Sequence, residues 1–375
     1  MQVRFAFLVF LILAGRIAEP ENTAQEPAAK SQAALSFHFT DITDSAGIRF
    51  EHSVSPEKKY LLESMAGGVL LLDYDQDGWL DIYFTNAPSV DMALHGRKAK
   101  SALYRNNHDG TFTDVTDKAG VGYPCSAMGG AVADYNNDGW PDIVVTDLAN
   151  QRYALYQNNR EGSFSYASNT AGIGQMTMAH SGWGVRFFDY DNDGWKDLFV
   201  GQGHVMDNIQ LTEPTLRYLE PPLLLRNHQG HFSNVSPQSG SIFTTPIAAR
   251  GAAFGDLDND GRVDVAINCN DGPAIILHNR VGNGNHWLIL NLTGTSSNRD
   301  AIGSKIRLVT DGGQQQTRFV STAGSYISAS DKRVHFGLGS SKKIRLIEIT
   351  WPSGIVQRLE SVSVDQILQV KEPSR

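Results

Sequence analysis

Four stretches of this chain place aspartate at the same intervals: "DYDQDGWLD" from Asp73 to Asp81, "DYNNDGWPD" from Asp134 to Asp142, "DYDNDGWKD" from Asp189 to Asp197 and "DLDNDGRVD" from Asp256 to Asp264. Ionised carboxylates a few ångströms apart repel and raise one another's pKa values, so such crowding requires exposure or a bound cation. Oxygens at positions 1, 3 and 5, a glycine at position 6 and an aspartate at position 9 let a tight loop wrap one ion. Calcium fits this donor set, being a hard cation that takes roughly 6–8 oxygens at about 2.3–2.6 Å and tolerates irregular geometry.

In the first loop, Asp73, Asp75 and Asp77 offer side-chain oxygens, Gly78 permits the turn, Trp79 offers its backbone carbonyl and Asp81 closes the shell. The counterparts are Asp134, Asn136, Asp138, the Trp140 carbonyl and Asp142 in the second loop, and Asp189, Asp191, Asp193, the Trp195 carbonyl and Asp197 in the third. In the fourth they are Asp256, Asp258, Asp260, the Arg262 carbonyl and Asp264. The pattern predicts up to four Ca2+ ions, with the second loop weakest because Asn136 is neutral. A single copy would equally suit a metal-free Asp/Asn/Gly hairpin turn; fourfold recurrence argues against that alternative. An EF-hand is excluded, since its twelfth-position glutamate is replaced by Phe84 and the flanks "GGVLLLD" and "LDIYFT" read as strands.

The charge balance agrees. The chain has 40 acidic and 32 basic residues, a net charge of −8; setting aside the 15 loop aspartates leaves 25 acids against 32 bases, a net of +7. The acidity therefore resides in the loops rather than in an acidic tail, and four divalent ions would bring the chain near neutrality.

The elements that must hold these loops repeat with them. Successive loops start 61, 55 and 67 residues apart, and each unit reads as four strands, in the first unit residues 67–73, 81–86, 101–106 and 111–116. Four-stranded units repeated radially make a β-propeller. The expected fold is all-β, a propeller with four recognisable four-stranded blades and an open total, followed by a small β domain. The last unit lacks a fourth strand, while "FHFTDITDSAGIRF" near the front resembles "TFTDVTDKAGVGY" at 111–123; residues 37–43 are expected to complete the last blade and close the ring. Trp79, Trp140 and Trp195 recur at one loop position and suggest blade-to-blade packing. The expected domains are a signal peptide over 1–18, read from Arg4 and the apolar run "FAFLVFLILA", a disordered spacer over 19–36, the propeller over 37–284 and a basic β domain over 285–371 in contact with it. Ten apolar residues are short for a membrane span, so no stable span is expected and the product is secreted, periplasmic or surface-exposed. Cys125 and Cys269 are compatible with a bridge or with two free thiols.

The loops with their preceding strands resemble FG-GAP, or VCBS, repeats, and "AIGSKIRL", "VHFGLG" and "ITWPSG" in the last ninety residues resemble the ASPIC/UnbV domain. The order of the two is that of the cartilage acidic protein family. The resemblance implies a secreted or surface-exposed, calcium-stabilised propeller whose ligands are the aspartates named above, commonly with seven blades.

No HExxH, GxSxG or phosphate-cradling glycine loop is present, so no catalytic residue is assigned. "GQGHVMDN" is the exception: His204 and Asp207, with His180, could meet at one rim and bind a transition metal or act as a base; exposed or turn-bonded histidines are the plainer alternative. Nucleic acid is disfavoured by export and by basic residues that alternate along strands, as in "KIRLIEI". The reading is an exported calcium-binding module for an extracellular protein or glycan; the alternatives are an enzyme near His180 and His204, or a purely structural envelope or matrix protein.

Overall fold

The apolar runs that flank each aspartate loop pair as antiparallel strands, so that the loop links the first strand of a sheet to the second and its ninth residue opens that second strand. The structure, a computed structural model, describes residues 39–57, 60 and 63–374; the leader over 1–18 and spacer over 19–36 lie outside the described residues. Blade 1 comprises β1 (Gly68–Leu72), β2 (Asp81–Thr85), β3 (Ala102–Asn106) and β4 (Phe112–Asp114). Blade 2 comprises β5 (Gly130–Ala133), β6 (Asp142–Val145), β7 (Ala154–Asn158) and β8 (Phe164–Tyr166). Blade 3 comprises β9 (Gly182–Phe188), β10 (Asp197–Gln202), β11 (Leu223–His228) and β12 (His231–Asn234).

Among the described residues blade 4 has three strands, β13 (Ala249–Gly255), β14 (Asp264–Cys269) and β15 (Ile275–Leu277), where four were expected. After β15 the chain is drawn away: Asn283 and Asn285 both donate to the Asp191 carbonyl in the third loop, at 2.5 and 2.9 Å. Nor do residues 39–43 form the strand expected over 37–43, whose first two residues lie outside the described residues.

Between blades the core is apolar. Leu72, Tyr83 and Leu103 meet Ile143, Val145 and Tyr156 between blades 1 and 2, and Val144, Leu155, Val185, Leu198 and Leu225 fill the space between blades 2 and 3. Phe199, Leu224, Phe254 and Val265 join blade 4 to blade 3. Each large side chain buried in this way contributes about 1.5–3 kcal/mol. The inner strands stack in the order β1, β5, β9, β13, with no comparable contact from β13 back to β1 among the described residues. The array is all-β and propeller-like, and Val69 and Leu71 of β1 are each 60% exposed.

The remaining strands form two sheets, β16 (His286–Thr293) between β19 (Val334–Gly339) and a parallel β22 (Gln366–Lys371), and β17 (Lys305–Thr310) between β18 (Gln315–Phe319) and β20 (Lys343–Thr350), which carries β21 (Val356–Ser363) at its far edge. Leu288, Leu290, Ile306, Leu308, Phe336, Ile347 and Trp351 close the core between them. As expected, this part touches the blades. Residues 325–331 lie along the inner strands: Ser325 Oγ donates to the Trp183 carbonyl at 3.1 Å, and the Asp331 N–H to the Phe254 carbonyl at 2.9 Å. Gly129 is obligatory there, because a Cβ would stand 2.1 Å from the Trp183 carbonyl and 2.5 Å from Ser325 Oγ. Cys125 and Cys269 are free thiols, so the bridge is not made. No helix among the described residues is long and apolar enough to cross a membrane.

Candidate metal centre

Each loop is folded by its own carboxylates. The first-position aspartate accepts from the N–H groups of positions 5 and 6; for Asp73 these are Asp77 and Gly78, both at 3.0 Å, and Asp134, Asp189 and Asp256 do the same. The fifth-position carboxylate accepts from the N–H of position 7, from Trp79, Trp140, Trp195 and Arg262 at 2.8–2.9 Å. Gly78, Gly139, Gly194 and Gly261 all have φ between 84 and 91°, the left-handed turn that glycine makes without strain.

The ninth-position aspartates are the most buried. Asp81 and Asp142 are 0% exposed, and each spans two elements. One oxygen of Asp81 accepts from the Tyr74 N–H at 3.1 Å and the other from Asn106 at 2.9 Å. Asp142 and Asp197 repeat the arrangement with Asn158 and Asn227 on the third strand of the blade, and Asp264 with Asn279 just after it. These aspartates therefore tie the loop to the sheet as well as facing it.

Three loops gather carboxylates closely enough to share a cation. Oxygens of Asp73, Asp75 and Asp81, of Asp189, Asp191 and Asp197, and of Asp256, Asp258 and Asp264 lie within 4.8 Å of one another, as do donor atoms of Asp258, Asp260 and His278. Positions 1, 3 and 9 form the common group. Position 5 stands outside the group in the first and third loops: Asp77 pairs with His108 at 2.6 Å, and Arg226 lies 3.2 Å from Asp193 and 2.8 Å from Asp191, a member of the third group. Burial, followed by neighbouring carboxylates, pushes Asp73 and Asp75 above the usual carboxylate range. Burial likewise pushes Asp81 up to about 7, and burial together with Asp193 and Asp191 pushes Asp189 up to about 8. Asp75 Oδ1 is buried without a hydrogen-bond partner. An all-oxygen group with a buried, unsatisfied carboxylate oxygen fits a hard divalent cation.

The second loop differs. Asn136 donates to Asp138 Oδ2 at 3.3 Å, and Lys196 Nζ, buried, donates to the Asp134 carbonyl at 2.6 Å. Arg318 of β18 is buried nearby, its guanidinium facing Asp189 and Asp134. Burial, then the adjacent Arg318, holds the Lys196 ammonium well below its ordinary range.

A hydrogen-bond relay joins the loops, and it was not anticipated. The fourth-position residue, left-handed in every loop, reaches the sixth-position carbonyl of the next: Gln76 to Gly139 at 2.8 Å, Asn137 to Gly194 at 2.9 Å and Asn192 to Gly261 at 3.1 Å. The fourth, Asn259, instead accepts from Arg333 at 2.6 Å. The recurring amide at position 4 was the signal for it. Trp79 does not pack blade on blade as expected. Trp79 is 49% exposed and stacks on His108 of its own blade, with ring centroids 5.0 Å apart. The second-position Tyr74 and Tyr135 fill the interblade space instead, against Phe164 and Phe232.

His180 and His204 are occupied separately. His180 Nδ1 lies 3.2 Å from Glu220 Oε2, whereas His204 is buried and its Nδ1 accepts from the Met206 N–H at 3.1 Å. Burial lowers the His204 pKa and raises that of Glu220. Asp207 is exposed, and none of the three belongs to a metal-holding group among the described residues.

Comparison with known proteins follows the same division of the chain. A family model described as FG-GAP-like repeat matches residues 73–145 and 134–200, and one described as ASPIC and UnbV matches residues 294–375. Cartilage acidic protein 1 of Xenopus tropicalis is 24% identical over 295 residues, covering 77% of this chain and 44% of that protein. The Homo sapiens protein of the same name is 24% identical over 294 residues, covering 77% of this chain and 43% of its own length. The chain thus spans less than half the length of these relatives. A solved structure of an Agrocybe aegerita lectin, described for specific recognition of non-reducing terminal N-acetylglucosamine, aligns over 58% of this chain and 67% of its own with 16% identity and a TM-score of 0.25.

Proposed function

We propose that this chain, which carries FG-GAP-like repeats followed by an ASPIC and UnbV domain, is an exported calcium-binding module that presents its rim to an extracellular protein or glycan. The observation that carries the proposal is the recurrence, in three loops, of a position 1, 3 and 9 carboxylate group within 4.8 Å. Asp73, Asp75 and Asp81 would hold one ion, Asp189, Asp191 and Asp197 a second, and Asp256, Asp258 and Asp264 a third, each with the adjacent position-7 carbonyl. The second loop is the weakest site. The ion supplies charge compensation and cross-linking of the loop rather than chemistry. Extracellular calcium suffices for modest affinities of about 10⁻⁴–10⁻³ M, and the relatives' name, which ties them to cartilage, supports an extracellular setting.

Calorimetric titration of Ca2+ into chelated protein, with Mg2+ as the control, tests this. Uptake of about three ions and a rise in thermal midpoint follow from linkage. Heat and midpoint both unchanged would leave the loops as turns and remove the calcium reading.

A further inference from the structure

The three carboxylate groups differ in what covers them. Asp189, Asp191 and Asp197 of the third loop are all buried, at 4%, 5% and 0% exposure, whereas Asp73 and Asp75 of the first are half-buried and Asp258 of the fourth is exposed. The cover on the third loop comes largely from the C-terminal β domain and the segment that leads to it.

The backbone of β19 lies against the first and fourth positions of that loop. A Cβ on Gly337 would stand 2.1 Å from Asp189 Oδ2 and 2.5 Å from Asn192 Cα, so only glycine fits there, and the Gly339 N–H donates to the Asn192 carbonyl at 2.8 Å. Residues 281–285 cross the third position, where the Asn283 and Asn285 amides both donate to the Asp191 carbonyl. The turn between β17 and β18 reaches the sixth, since a Cβ on Gly194 would stand 2.3 Å from Gln314 Nε2. On the remaining side Arg226 lies 2.8 Å from Asp191 and 3.2 Å from Asp193. The C-terminal domain touches the other two loops as well, through Lys305 on Gln76 and through Arg333 on the Asn259 side chain and the Asp256 carbonyl. Those contacts fall on position 4 and on backbone, and half of the Asp258 side chain stays exposed.

We infer that the third loop is the joint between the blades and the C-terminal domain, and that a Ca2+ ion on Asp189, Asp191 and Asp197 is enclosed beneath β19 and residues 281–285 and leaves only when that domain lifts. Ions on the first and fourth loops exchange while the domain stays seated. This rests on the calcium reading of the loops. Seating the domain buries three carboxylates against two guanidiniums, Arg226 and Arg318, and uncompensated buried charge is costly. A divalent ion offsets that cost, so it binds the seated form more tightly and, by reciprocity, holds the domain down by the same factor.

Terbium(III), a hard cation whose emission is sensitised by a neighbouring indole, is the probe. Trp79 and Trp195 occupy position 7 of the first and third loops and Arg262 that of the fourth, so in a full chain carrying Trp140→Phe the first and third sites report separately. Mixing the Tb3+-loaded chain with excess chelator is expected to quench emission in two phases, one at least tenfold slower than the other. Trp79→Phe should remove the fast phase and Trp195→Phe the slow one. Asn283→Ala combined with Asn285→Ala should speed the slow phase at least threefold and leave the fast phase unchanged. In the unsubstituted chain, calcium should slow hydrogen exchange at the Gly339 amide at least tenfold more than at the amides of β21, a readout independent of how the variants fold. No sensitised emission together with no calorimetric heat would remove the calcium reading itself. Emission lost in one phase, a slow phase that disappears with Trp79 or ignores the asparagine substitutions, or equal calcium protection of β19 and β21 would overturn the inference and leave the bound ions in place.

Discussion

The first and second aspartate loops fold alike but surround their carboxylates differently. Both use position 1 to hold the turn and position 9 to tie the loop to the third strand. In the first, Asp73, Asp75 and Asp81 converge and leave Asp75 Oδ1 buried without a partner. In the second, Asn136 removes one charge, and Lys196 from the next loop and Arg318 from β18 stand beside Asp134. The lesson is that a repeated acidic loop can be balanced by a bound ion or by the chain's own cations, and that the motif alone does not say which. Position 9 is common to both solutions because its work is structural.

That comparison can be broken at several points. The largest effect is expected at position 9. Asp81→Ala and Asp142→Ala each leave two backbone N–H groups without their carboxylate, and should each cost about 3–5 kcal/mol in urea unfolding. Equal losses in the two loops would support the shared role; a loss confined to the first loop would sink it. Next is Lys196→Met, which removes the buried amine that donates to the Asp134 carbonyl and should cost about 2–4 kcal/mol in calcium and in chelator alike. A cost that vanishes in calcium would mean that an ion replaces the lysine.

Asp147 in blade 2 is a control with neither ion nor cation. Its carboxylate is buried, accepts from the Ser126 and Leu148 N–H groups at 2.7 and 2.8 Å, and is pushed by burial up to about 8. The native state thus holds a proton on Asp147 that the unfolded chain releases near pH 4, so this group's contribution to stability is fullest below about pH 4 and is lost as pH rises toward about 8. Asp147→Asn keeps the accepting oxygen and should raise stability at pH 7 by about 1–3 kcal/mol while flattening this slope in pH-dependent urea melts. An unchanged slope would show that the carboxyl does not titrate there.

The smallest effect has a change of sign. Asp75→Asn relieves like-charge repulsion, so chelated protein should gain about 1 kcal/mol, whereas in calcium the variant should bind one ion fewer and lose part of the calcium-induced rise in midpoint. Stoichiometry left unchanged by the substitution would remove Asp75 from the first site.

Much of this was legible because it is local. Strand positions in blades 1 to 3, the loops between first and second strands and the apolar core of β16–β22 follow from alternation, turn residues and an interval that repeats. The position-4 relay was visible as a recurring Gln or Asn but not interpretable, since its acceptor lies in the next loop, 63 positions away for Gln76 and 57 for Asn137. Trp79 misled for a related reason: recurrence marks an equivalent position without saying which way the side chain turns, and Tyr74, five positions earlier, took the interblade space. His180 and His204 share a neighbourhood in sequence, yet Glu220 and the Met206 N–H engage them separately.

By itself the sequence determined the repeat, the strand order within each blade and the four places where carboxylates accumulate, because turn chemistry and side-chain alternation act over a few residues. Only the tertiary structure decided that blade 4 shows three strands among the described residues, that Lys196 reaches the second loop and that Arg318 lies buried near both Asp189 and Asp134. Those outcomes depend on surfaces brought together across 62 residues for Lys196 and the Asp134 carbonyl and 142 for Ser325 and Trp183, where burial and charge compensation, rather than local propensity, set the lowest free energy.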